Sequence, residues 1–161
     1  MTKFFKLYDS WIEKAIAILL GFLIVSLFAQ VVSRYLFNFP IMWTDEIGRY
    51  TYIWIVYLGS AVAFKNRGHL IVDVFTQKMP YRIQYYLNLF FHIVIILFLF
   101  LVFSFGLQYT KNNMGNPAYS TSIISLGIAY ASVPVGALLM ITNIIRTIFE
   151  DSKKREGVEL E

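Results

Sequence analysis

A chain of 161 residues that is 58% hydrophobic and 18% aromatic, with a mean hydropathy of +0.61, carries more apolar side chain than a soluble domain of that length needs for its core. Its net charge of +4 is spread over separate segments that flank apolar runs, which excludes the continuous basic patch of a nucleic-acid-binding surface and points to phospholipid head groups instead. The absence of cysteine excludes disulfides, iron–sulfur clusters and thiol chemistry.

At the N-terminus, Phe4, Tyr8, Trp11, Ile12 and Ala15 recur at helical spacing opposite Lys3, Lys6, Asp9, Glu13 and Lys14. That pattern predicts an amphipathic interfacial helix near residues 3–14, and it leaves open whether the helix bends near Lys14 or runs on. Apolar stretches follow at about 15–37, 45–64, 84–110 and 123–149, each near or above the ~20 residues that cross a ~30 Å hydrocarbon layer as helix. They are continuous rather than alternating, which excludes barrel strands. The expected fold is a single all-α membrane domain with four transmembrane helices. The first stretch is too long for a cleavable signal peptide and lacks a small-x-small cleavage site, so it is expected to remain as the first helix. With the N-terminus in the cytoplasm, eleven of the fourteen basic residues lie on the cytoplasmic side, and only Arg34, Arg49 and Lys111 fall elsewhere. Both termini are therefore expected to be cytoplasmic.

Between the first two stretches stands Pro40; Thr44 reads as an N-cap, with Asp45 and Glu46 in the first turn where carboxylates favour the helix dipole. The second span is expected to start near Asp45. After Gly68, the apolar set Leu70, Ile71, Val74 and Phe75 faces away from Asp73, Gln77 and Lys78, which predicts a second interfacial helix over 69–79. The third stretch is rich in Phe and Leu, and a turn-rich connection over residues 110–122 follows it. In the fourth, Pro134 marks a possible kink, and Ser125, Ala129, Ser132 and Gly136 share one face that a partner backbone can approach closely. Gly59 and Ala63, like Ala17 and Gly21, form further small-residue steps. Residues 151–161 are polar and read as a flexible tail. No internal repeat or domain boundary is visible.

Charges crowd the ends of the second apolar stretch and avoid its middle. Arg34, Trp43, Asp45, Glu46 and Arg49 form an outer cluster. Asp45 and Arg49 have the favourable i,i+4 order, which leaves Glu46 for Arg34 or for another protein. Pinning of the first hairpin with contacts to a partner is one reading; ordinary interfacial charge is the other. At the inner end, His69 and Asp73 are four apart, as a hydrogen-bonded pair or as two solvated groups. With His69 at the inner interface and His92 about two turns inside the next span, the two histidines are poorly placed for axial haem ligation. Nucleophilic triads, metal clusters and phosphate loops have no residues at suitable spacing, so an enzyme is not expected. A transporter acting alone is expected to show an ionisable or broken-helix site near the midplane. Tyr52 to Ala63 and Val94 to Phe103 hold no charge, which points to a scaffold.

The run Ser33, Arg34, Tyr35, then Trp43, Thr44, Asp45, Glu46, Arg49, Tyr50, then Leu58 to Ala61, then His69 to Asp73 resembles the small membrane subunit of tripartite ATP-independent periplasmic (TRAP) transporters. The likeness is close from about Ser33 to Pro80, and the four-span layout extends it over nearly the whole chain. Asp45 departs from the Glu frequent in that family, which matters little for charge pairing. The resemblance implies a bacterial inner-membrane subunit that pairs with a much larger membrane subunit and a periplasmic substrate-binding protein. It also implies that the large subunit carries the substrate and sodium sites, that this chain braces it and holds no cofactor, and that the cargo is an organic acid such as a C4-dicarboxylate or sialic acid. The alternatives are a membrane anchor or b-type cytochrome subunit of a respiratory complex, and a self-sufficient small exporter.

Overall fold

The structure is a computed structural model that describes residues 2–39, 41–67, 81–120 and 124–158. Its helices are α1 (Thr2–Leu36), α2 (Met42–Arg67), α3 (Tyr81–Asn113), the short α4 (Leu126–Tyr130) and α5 (Ser132–Val158). At ~1.5 Å per residue, the 35 residues of α1 and the 33 of α3 each reach roughly 50 Å, well beyond a ~30 Å hydrocarbon layer. Residues 3–14 are not a separate helix. They continue into the apolar run without a bend, because no Gly or Pro interrupts the ladder before Gly21. The segment expected as a second interfacial helix, 69–79, lies outside the described residues.

Local chemistry sets the breaks. The Ser33 carbonyl accepts from the N–H groups of Phe37 and Phe39, both at 3.2 Å, and the Ser33 hydroxyl donates to the Phe39 carbonyl at 2.6 Å. Asn38 takes a positive φ of 50°, the left-handed conformation that Asn tolerates best after Gly. The chain thus reverses immediately after α1. The next helix starts at Met42 rather than near Asp45. Thr44 is not its cap, since its hydroxyl donates back to the Ile41 carbonyl at 3.0 Å instead of accepting an N–H.

After α3 the backbone folds on itself through one antiparallel bridge between Pro117 and Ser125. Ala118 N–H donates to the Ile124 carbonyl at 2.9 Å, and Leu126 N–H to the Asn116 carbonyl at 3.0 Å. Ser125 then caps α4, its hydroxyl accepting from Gly127 N–H at 3.1 Å while donating to the Met114 carbonyl at 2.6 Å. The last apolar stretch is one candidate span, Leu126–Ile148, divided at Ala131 into α4 and α5. Pro134 has no N–H to offer the Tyr130 carbonyl, while Ala131 keeps helical backbone angles and still bonds Gly127 and Val135, which is the disturbance expected of a proline inside a helix. At its far end α5 continues to Val158, through residues whose polarity reads as a tail. Glu150, Lys153, Lys154 and Arg155 are good helix formers, so a helix leaving an apolar run has no reason to stop there.

The principal helix contacts run α1 to α2, α2 to α5 and α5 to α3, with α4 against α3. The long helices therefore stand in a row, α1–α2–α5–α3, rather than closing into a bundle. The core lies where α2, α5 and α3 meet: Ala61, Leu99, Met140 and Ile144 are buried there, with Tyr57, Phe64, Ile95, Leu139 and Ile148 packed around them. Three segments, Leu7–Leu36, Leu89–Asn113 and Leu126–Ile148, are long and apolar enough to cross a membrane. In the most apolar 18-residue window of each, 6% of the residues of the first and 11% of the second are buried among the described residues, against 44% of the third, so most of α1 and α3 is turned outward. α2 is more polar than these three, but it is 26 residues long and lies between α1 and α5 as the fourth member of the row.

Candidate functional site

The α1–α2 turn and the connection after α3 meet at one end of the row, the turn end, and Glu46 joins them. The Glu46 side chain is buried, with 6% exposure, among three donors. Its Oε1 accepts from the Tyr50 hydroxyl at 2.5 Å and from Tyr119 N–H at 2.8 Å; its Oε2 accepts from Ser120 N–H at 2.7 Å. Tyr50 lies one turn along the same helix, whereas the two amides come from the connection more than seventy residues on. The expectation that Glu46 stays available for Arg34 or a partner is therefore corrected: a buried carboxylate needs donors, and its own chain supplies them.

Asp45 is likewise held by something other than its expected partner. Gln30 of α1, itself buried, donates from Nε2 to Asp45 Oδ1 at 2.5 Å. Among the described residues no ion pair joins Asp45 to Arg49. Arg34, Asp45 and Arg49 are exposed, as is Trp43 at 48%. Gly48 is buried where α1 packs over α2, and a Cβ on it would meet Leu23 and Leu27 at 3.7 Å, an ordinary van der Waals contact. Trp54 completes the turn end by donating from Nε1 to the Ile128 carbonyl of α4 at 3.2 Å.

The small-residue face of the last stretch packs within the chain. Ala129 and Ser132 are each 1% exposed, and the Ser132 hydroxyl donates to the Ala129 carbonyl at 2.8 Å. At Gly136 an added Cβ would lie 2.7 Å from Tyr57 Cβ, so α5 approaches α2 as closely as glycine permits. Gly136 meets α2, while Ser125 and the short α4 lie mainly against the end of α3, so that face is occupied within the chain. Gly59, by contrast, has nothing within 4 Å of an added Cβ and looks outward. His69 and Asp73 lie outside the described residues.

Two contacts escape sequence reasoning. Asn143 of α5 is buried and donates from Nδ2 to the Ala61 carbonyl of α2 at 2.8 Å. A lone Asn inside an apolar run was the available signal. At the other end of the row, Arg146 of α5 and Asp9 of α1 form an ion pair at 3.2 Å, with side chains 19% and 9% exposed. Asp9, an acid amid basic residues on the polar side of an amphipathic helix, gave no hint of a partner 137 positions away. Among the described residues no group of three or more metal-binding side chains comes together.

Apolar helices with their polar groups gathered at the two ends define a multi-pass membrane protein. Residues 23–154 match the family model of the DctQ component of tripartite ATP-independent periplasmic transporters. The chain belongs to that family of transporter permease components, which are not enzymes, and its place is the bacterial inner membrane. It is 34% identical over 147 residues to a putative TRAP transporter small permease protein of Haemophilus influenzae, covering 86% of this chain and 91% of that one. Against the sialic acid TRAP transporter small permease protein SiaQ of Vibrio cholerae it is 28% identical over 148 residues, or 91% of this chain and 85% of the other. The sialic acid TRAP transporter permease protein SiaT of H. influenzae is 31% identical over 120 residues, 74% of this chain but 19% of that longer protein, so the chain spans about a fifth of it.

Proposed function

We propose that this chain is the bracing subunit of a sodium-coupled, binding-protein-dependent transporter of organic acids, seated beside a much larger membrane subunit that carries the substrate and sodium sites. The observation that carries the reading is the open row. α1 and α3 are long and apolar, stand at the two ends of the row and turn most of their described residues outward, and the charged groups near the turn end are either tied to their own chain or exposed at its margin. Such a molecule has surface to lend to a larger partner. The turn end faces the periplasm and both termini face the cytoplasm, in keeping with the distribution of basic residues. The cargo is an organic acid, sialic acid or a C4-dicarboxylate; two of the relatives carry sialic acid in their names.

Reconstitution tests this. Liposomes holding this chain and its large subunit, given the soluble binding protein and a sodium gradient, are expected to take up radiolabelled N-acetylneuraminate or succinate. Omitting any one protein should abolish uptake. Uptake by this chain alone would overturn the bracing role.

A further inference from the structure

Residues 114–120 are exposed except Ala118. The stretch up to Ala118 is held by Ile124, Ser125 and Leu126, through the Ala118–Ile124 and Leu126–Asn116 backbone bonds and the Ser125 hydroxyl on the Met114 carbonyl, but none of these bonds reaches Tyr119 or Ser120. What fixes the tip is Glu46, a side chain from another helix, which takes the two consecutive amides of Tyr119 and Ser120 on its two oxygens. Both are charge-assisted hydrogen bonds, and they are made by a group that burial keeps from water. Directly at this tip the Tyr119 side chain stands 92% exposed, an aromatic group held out from an otherwise ordered backbone.

We infer that Glu46 is a positioning residue that locks the tip residues Tyr119 and Ser120 into one shape, so that the turn end meets the soluble binding protein as a preformed surface with Tyr119 at its tip. The inference rests on the proposed orientation and transport role, and deepens them. An aromatic side chain presented on fixed backbone forfeits little conformational freedom on docking, whereas the same residue on a free loop must first be ordered. The backbone amides supply the geometry and the carboxylate supplies the lock. Tyr50, donating to the same carboxylate, holds its rotamer.

The experiment uses the full reconstituted complex and titrates the binding protein, reading uptake of whichever acid the wild-type complex carries. Glu46→Gln replaces one acceptor by an NH2 that faces an amide N–H, and leaves side-chain volume unchanged. A tip that adopts the docking shape about a tenth of the time raises the half-saturating concentration of binding protein roughly tenfold. The change should fall on that concentration rather than on the maximal rate, with faster hydrogen exchange at the Tyr119 and Ser120 amides and unaltered co-purification with the large subunit. Glu46→Asp, which keeps the carboxylate, should recover most of the loss. Ser120→Pro removes one of the two donors without touching α2, and should move the same way if Glu46→Gln fails to fold. A half-saturating concentration unchanged in both Glu46→Gln and Ser120→Pro would overturn the inference, as would a fall in maximal rate alone or a loss of the large subunit. Uptake by the wild-type complex that ignores the binding protein would overturn the transport reading itself, a distinguishable result.

Discussion

At the scale of single residues, contacts between α2 and its neighbours decide the molecule's shape. Gly136 is the tightest, and even an alanine there would press its Cβ to 2.7 Å from Tyr57 Cβ. Gly136→Ala is expected to destabilise the chain by about 1–3 kcal/mol, the usual cost of overpacking, seen as a lower melting temperature in detergent. Gly59→Ala meets open space inside the same kind of helix and serves as the matched control, expected to raise the melting temperature slightly, since alanine favours the helix by about 0.5–1 kcal/mol. Asn143 makes a different kind of contact, since the Ala61 carbonyl it satisfies already has a helical partner to hand. Asn143→Leu should therefore cost only about 0.6 kcal/mol, the typical worth of a hydrogen bond between helices in a membrane, checked by the same melt. The sequence showed these residues as types, small or polar in an apolar run. It did not show that they face α2, because helical spacing says which residues share a face and nothing about what covers it.

At the scale of elements, the lengths and apolar runs of the helices were legible, because burial in lipid leaves a continuous signal that no packing detail can disguise. Their ends were less so. Thr44 has the chemistry of a cap, but the turn built around Ser33 and Asn38 lets the helix start three residues earlier, at Met42 rather than Asp45. Pro134 announced a disturbance; the interruption at Ala131 accompanies the missing N–H and the close packing of Gly106, where a Cβ would sit 3.2 Å from Pro134 Cδ. The Asp9–Arg146 pair could not be read at all, since it depends on α1 being one unbroken rod that carries Asp9 to the level of α5. Arg146→Ala is expected to cost about 1.5–3 kcal/mol by leaving a mostly buried carboxylate short of a charged donor. Faster hydrogen exchange in the first turns of α1, with α3 unaffected, would report it.

At the scale of the whole molecule, the row poses a question of direction that a chain without cysteine makes easy to ask. Tyr119→Cys marks the turn end and Leu7→Cys the other, both at exposed positions. In intact cells a membrane-impermeant maleimide is expected to label the first and spare the second; the reverse pattern would invert the proposed topology. The uncharged middle of α2, apparent in the sequence as a gap between two charged clusters, takes its meaning at this scale. It is the strip along which α1 and α5 pack, so charge there would break the row.

The row also dictates an order of manufacture. α2 leaves the ribosome with α1 at hand, and the two can pair at once through Gln30 and Gly48. α3 emerges next with no neighbour to meet, because its place is against α5, the last helix made. For the time it takes to synthesise α5, α3 must wait in the bilayer as a lone apolar rod, and its richness in Phe and Leu suits that wait. The final helix then arrives as the keystone, filling the space between two parts already in the membrane, and a chain stopped before it would leave a hairpin and a stray helix rather than a smaller version of the same protein.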